Sequence, residues 1–346
     1  MLIAGVALIA LVVYDAISTT LVASSAAGPL TARIGGGVWW LGQRLGAGPH
    51  SRIVTAAGPT ILLTTILAWM STLWVGWWLV FSADVDAVVA TASGRPADAW
   101  DRIYFAGYTV FTLGVGDFRP SGRVWQVATG LSVANGLAMA TLAITYSIPV
   151  VTAVTERRQQ SATITGLGSS AQELLVSAWD GSSLRFLDAP LMSFADDINR
   201  TAQRHLTYPI LHFFHSPDRS DEFAMSVTAL DEALTITLTA IAESARPHTA
   251  AVKTARAAIG RLLGILEASF HDAAEQVPPA PDLTPLRAAG IPVVDDAVFH
   301  GRLGEHDERR RMLLGFATNS GWPWAGAVLT SDEPHQGRAG QVAGGA

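Results

Sequence analysis

Two stretches of this 346-residue chain, residues 53–82 and 124–155, contain no Asp, Glu, Lys or Arg. A helix needs about 20 mostly apolar residues to cross a bilayer core, and within that core each backbone N–H and C=O must be satisfied by the segment itself. Both stretches exceed that length, so both are read as transmembrane helices. A third apolar run, Leu2 to about Ala23, is interrupted only by Asp15. It lacks the basic flank and small-residue cleavage site of a secretory signal, and it is read as a retained membrane span. The composition agrees, with 15% charged residues and a positive mean hydropathy, unlike an ordinary soluble domain.

The charges outside these spans set an orientation. Residues 27–52 carry Arg33, Arg44 and Arg52 without an acid, which the positive-inside rule assigns to the cytoplasm. Within them, Leu30 to Leu45 reads as an interfacial helix anchored by Trp39 and Trp40. Arg157 and Arg158 follow the last span directly, whereas the loop at 83–102 holds Asp84, Asp86, Asp98 and Asp101 against two arginines. The loop therefore belongs outside, close to a belt formed by Trp74, Trp77, Trp78, Trp100 and Trp125. A multi-pass protein of a bacterial plasma membrane is expected, with an external amino terminus and a cytoplasmic carboxy-terminal part. The bacterial assignment rests on abundant Ala and Gly and a single lysine, Lys253.

A net charge of −6 with no concentrated basic surface excludes nucleic acid as the main partner. The absence of cysteine excludes disulfides and thiolate metal sites. No phosphate-binding G-x-x-x-x-G-K-[ST] loop occurs, so neither enzymatic activity nor a bound cofactor is expected. Asp15 inside an apolar helix costs about 2.5–3.5 kcal/mol on insertion scales; it is expected to be protonated, or paired with Ser18, Thr19 or Arg52 at a helix contact.

Beyond Arg158 the sequence turns mixed and punctuated by proline, placing a boundary at about 157–165. A mostly helical domain is expected over 159–330, including helices at Phe223–Ile241 and Thr249–Phe270 from their apolar spacing. A tail rich in Gly and Ala over 331–346 is expected to be disordered. Gly166 to Ala171 matches a dinucleotide fingerprint, but no second strand ending in an acid follows, so a turn before a helix near Ala171 is read instead. His205, His212 and His215 lack a nearby acid at ligand spacing and are read as ordinary histidines. Residues 305–311 are read as a solvated, salt-bridged helix face.

Between the second and third spans lies Trp-Asp-Arg-Ile-Tyr-Phe-Ala-Gly-Tyr-Thr-Val-Phe-Thr-Leu-Gly-Val-Gly-Asp-Phe-Arg-Pro, Trp100 to Pro120. This arrangement resembles the pore loop of the two-transmembrane potassium channel family, whose filter usually reads Thr-Val-Gly-Tyr-Gly-Asp. The resemblance covers about residues 55–158. It implies an all-α membrane protein with the pore-loop tetrameric cation channel fold, to which this chain adds an amino-terminal span (1–26), a cytoplasmic interfacial segment (27–52) and the helical cytoplasmic domain. The pore domain would occupy 53–158, with an outer helix at 53–82, a pore helix at 100–111, a filter at 112–117 and an inner helix at 123–156.

The filter residues would be Thr112, Leu113, Gly114, Val115, Gly116 and Asp117. A permeating cation must exchange its hydration water for oxygen ligands, and stacked backbone carbonyls provide them only when successive C=O groups face inward. Gly114 and Gly116 can adopt the required dihedrals, while Leu113 and Val115 are expected to turn their side chains into the supporting protein. The carbonyls of residues 112–115 would then ligate permeant potassium ions, with the Thr112 hydroxyl at the inner end and the negative end of the pore-helix dipole facing the cavity. One chain supplies too few oxygens to enclose an ion, so a homotetramer in the lipid bilayer is expected.

Val115 stands where the family has an aromatic residue, and Tyr104 and Tyr108 are candidates to replace its supporting hydrogen bond. Gly136, twenty residues beyond Gly116, matches the family's gating hinge, and Pro149 is a second kink candidate. The expected function is a potassium-preferring passive channel gated through its cytoplasmic domain by an unidentified ligand or signal. The alternatives are a non-selective monovalent cation channel and a non-conducting, membrane-anchored sensor.

Overall fold

The computed structural model describes residues 1–22, 27–44, 52–269 and 273–324. Helices dominate the described residues. Three of them are long and apolar enough to cross a membrane: α1 (Leu2–Thr20), α3 (Arg52–Phe81) and α5 (Arg123–Thr165). Between the first two lies α2 (Pro29–Arg44), and between the last two lies α4 (Ala99–Val110). The remaining helices form the carboxy-terminal domain: α6 (Ala171–Ala178), α7 (Asp188–Thr207), α8 (Phe223–Thr239), α9 (Thr249–Ser269), α10 (Thr284–Ala288), α11 (Asp296–Leu303) and α12 (Asp307–Asn319). The tail expected from residue 331 lies outside the described residues.

The membrane helices pack through aromatic rings. Trp69, Leu73 and Phe81 of α3 are fully buried with Val12 and Ala16 of α1 and Phe105 and Ala106 of α4. The Phe81 and Phe105 rings meet edge to face at 4.9 Å, a favoured aromatic geometry. Asp15 explains how the extra span is fixed. Fully buried, its carboxylate accepts from Leu30 N–H (2.6 Å), the Thr31 hydroxyl (2.6 Å) and N–H (3.3 Å), and Trp69 Nε1–H (2.8 Å). The partners expected from neighbouring sequence are thus replaced by the amino end of α2 and a tryptophan of α3. A carboxylate at a helix amino terminus satisfies N–H groups that have no intrahelical acceptor. Thr19 joins at the periphery, accepting from Gly28 N–H and donating to the Thr31 hydroxyl. The Arg52 side chain lies outside the described residues.

The inner helix differs from expectation in length. The fall in hydropathy predicts an end near residue 156, yet α5 continues without interruption to Thr165, 43 residues in all. At about 1.5 Å per residue that is about 65 Å, roughly twice the hydrocarbon core. The loss of hydropathy marks where the helix leaves the lipid, whereas its end is set by backbone hydrogen bonding, and Gly166 caps it. The protruding turns are buried by the carboxy-terminal domain: Gln160 bonds the Asp197 carbonyl and the Thr201 hydroxyl of α7, and Ser226 of α8 donates to Ser161.

In that domain α8 is buried on nearly every face, enclosed by α5, α6, α9 and α12. The segment at 305–311 departs from a solvated face. Arg309 pairs with fully buried Asp231, and Arg310, itself 1% exposed, pairs with Glu232, because the acids it neutralises sit inside on α8. Thr163 to Thr165 form the last turn of α5 rather than a strand, which removes the dinucleotide reading, and α6 starts at Ala171 behind a Ser170 cap.

Candidate ion-conducting site

The loop from Phe81 to Arg123 builds the site in three steps. Asp98 and Asp101 form a reciprocal capping box that starts α4, as such carboxylates do at helix amino ends. The helix then descends beside α3, held by the Trp74 indole donating to the Ile103 carbonyl (2.9 Å). It ends at Phe111, and the chain turns back through Thr112–Asp117 into β2 (Phe118–Pro120). This strand pairs antiparallel with β1 (Val88–Ala90), with Ala90 opposite Phe118.

In the ascending segment φ alternates in sign. Thr112 (+59°), Gly114 (+59°) and Gly116 (+88°) are left-handed, and Leu113 and Val115 are not. An ordinary strand points successive carbonyls to opposite sides; alternating the hand of successive residues brings them to one side, the requirement for a file of oxygens. Two of the three positions are glycine, where positive φ costs little. Thr112 is the single non-glycine residue with positive φ among those described, a strained conformation held in place by its surroundings. Leu113 N–H donates to the Tyr108 carbonyl at 2.7 Å, fastening the base of the segment to the last turn of α4.

The tyrosines clamp the outer end. Tyr104 donates to Asp117 (3.2 Å) and Tyr108 to the Phe118 carbonyl (2.5 Å), supplying support that Val115 cannot. Thr91, which the sequence did not single out, donates its hydroxyl to the Gly116 carbonyl (2.7 Å) and its N–H to the Asp117 carbonyl (2.9 Å). The Gly116 oxygen is therefore engaged by the hairpin of its own chain. No motif could have shown this, since Thr91 is brought to residues 116 and 117 only by the pairing of β1 with β2.

Leu113 and Val115 do not pack into their own chain: they are 70% and 50% exposed. A single chain has no wall on that side. Gly136 is buried on α5 where an added Cβ would stand 1.9 Å from the Val110 carbonyl oxygen, so its place in the structure is a close crossing of α5 under the end of α4. Pro149 lies inside α5, where it has no N–H to donate to the carbonyl four residues earlier. His212 and His215 join a ring cluster with Phe213 and Trp39, and no grouping of metal-ligating residues exists among the described residues.

Comparison with known proteins agrees with this geometry. Residues 61–153 match a family model described as ion channel, a span that begins in α3 and ends in α5. The chain is 36% identical over 324 residues to the uncharacterized membrane protein YdjJ of Bacillus subtilis (strain 168), covering 93% of this chain and 94% of that one. No solved structure matches. With the alternating segment held between a short helix and two membrane spans, and with these similarities, the chain belongs to the two-transmembrane, pore-loop ion channel family.

Proposed function

We propose that four copies of this chain surround one axis and that the carbonyl oxygens of Thr112, Leu113, Gly114 and Val115 form its cation sites, making the protein a potassium-preferring passive channel. The alternation of φ from Thr112 to Gly116 carries this reading, because it has no use in a turn that merely joins two helices. The acids Asp84, Asp86, Asp98, Asp101 and Asp117 all lie in the segment between α3 and α5 and favour cations near it. The arginines at 33, 157 and 158 flank the opposite end, which supports a cytoplasmic position for the carboxy-terminal domain.

Val115, half exposed and without a hydroxyl, favours a second reading in which sodium also passes. Reversal potentials in planar bilayers under potassium–sodium gradients decide between the two. In liposomes, purified protein is expected to pass potassium, and Gly114→Ala to reduce that flux at least about tenfold, since a Cβ disfavours φ of +59°. Unchanged flux in that variant removes the filter assignment, and absence of flux in the native protein returns the non-conducting reading.

A further inference from the structure

In the carboxy-terminal domain, the carboxy end of α8, residues 243–247 and the first two turns of α9 line a cavity of about 600 Å³, a size that accepts a small organic ligand. Its charged lining is unbalanced. Arg256 is neutralised, donating to Asp231 (3.1 Å) and the Thr235 hydroxyl (2.6 Å). Arg246 bonds the Ile241 carbonyl through Nε (2.8 Å), and neither it nor Lys253, the chain's single lysine, makes an ion pair among the described residues. Glu243, exposed at the rim, pairs with neither. Burial disfavours the charge on Arg246, the nearby Glu243 carboxylate opposes that effect, and Arg302 adds a smaller cost. Thr249 brings the positive end of the 21-residue α9 to the same space, where the Asp188 carboxylate already accepts from His248 N–H (2.6 Å).

Three basic side chains against one acid in this lining, beside a helix amino end, fit oxyanions. From this cavity α8 runs back to α5, where Ser226 donates to Ser161 (3.2 Å) and the Arg157 guanidinium lies 5.4 Å from the Phe223 ring. We propose that the cavity binds a small anionic metabolite bearing phosphate or carboxylate groups, and that its occupancy biases the contact of α8 with α5. The regulatory half rests on the channel reading above; the binding half stands without it.

The test is calorimetric titration of the full-length protein in detergent with pyrophosphate, adenosine triphosphate and citrate. At least one is expected to bind once per chain, more weakly at high salt, and to lose about tenfold in affinity in each of Lys253→Glu and Arg246→Gln, since each removes a charge-assisted contact. Lys253 is exposed, so Lys253→Glu is expected to retain the native melting temperature. Failure of all three probes to bind, or equal affinity in both variants, overturns the site. Repeating the potassium flux assay with the binding anion tests the coupling. Binding that leaves an existing flux unchanged overturns the regulatory half, whereas a protein that binds but never conducts overturns the channel reading and leaves the site standing.

Discussion

At the residue scale, single buried atoms fix features that hydropathy leaves open. Asp15 gathers four donors from α2 and α3 where no water can replace it. Because each buried donor left unpaired costs about 1–3 kcal/mol, Asp15→Ala is expected to destabilise the protein by at least about 3 kcal/mol, read as a large fall in melting temperature in detergent. Asp15→Asn keeps one acceptor oxygen and is expected to lose less. Gly136 makes a second such demand. Its Cβ-free face admits the Val110 carbonyl, so Gly136→Ala is expected to push α4 off α5 and to reduce both flux and assembly. Had the residue served only as a bend, alanine would leave assembly intact, and size-exclusion chromatography of the variant separates these outcomes. The tyrosines at 104 and 108 were legible as candidates from their place on the pore helix. Their acceptors were not, because a hydroxyl's direction depends on how residues 112–118 return past the helix.

At the element scale, α5 and the segment at 208–216 join the membrane spans to the carboxy-terminal domain. Glu156 of α5 pairs with Arg204 of α7, and Arg157 donates to the Leu211 carbonyl (2.9 Å). Phe213 packs near Trp39 of α2 at 5.8 Å between ring centres. Glu222 lies close to Arg157 (3.9 Å) and accepts from Ser216 N–H (2.8 Å), almost wholly buried. Burial lifts its carboxyl above the usual range, with the Arg157 charge opposing. The folded chain thus holds this proton more tightly than the unfolded one. Its contribution to stability is whole below the ordinary glutamate value of about 4.3 and is lost as pH rises through the higher folded value. Melting temperature is therefore expected to fall on going from about pH 5 to about pH 8, and Glu222→Gln to remove a share on the order of 1 kcal/mol. A variant profile parallel to the native one would contradict this account. The proline at 209 was readable as a helix break, but not the wedge that the following residues form against α2 and α3.

At the scale of the whole molecule, the exposed apolar residues say most. Phe111, Leu113, Val115, Leu131, Leu137 and Ile144 are all exposed in the single chain, along the filter and the same long helix. Some of that surface meets lipid, but on the proposed channel reading the side chains of residues 113 and 115 need protein around them. Native mass spectrometry is expected to show four 36.5 kDa chains per particle, and a predominantly monomeric or dimeric species would remove the closed ring of carbonyls. The sequence by itself determined the three spans, the pore loop and the helical character of the remainder, because lipid selects each residue of a span by its own hydropathy and because glycine at alternate positions is a local requirement. Only the tertiary structure decided that Asp15 caps α2, that Thr91 holds the Gly116 carbonyl, that α5 continues into the carboxy-terminal domain, and that Arg309 and Arg310 turn inward. Each of these joins residues distant in sequence, or depends on backbone bonding that side-chain polarity does not report, so no local pattern could contain it.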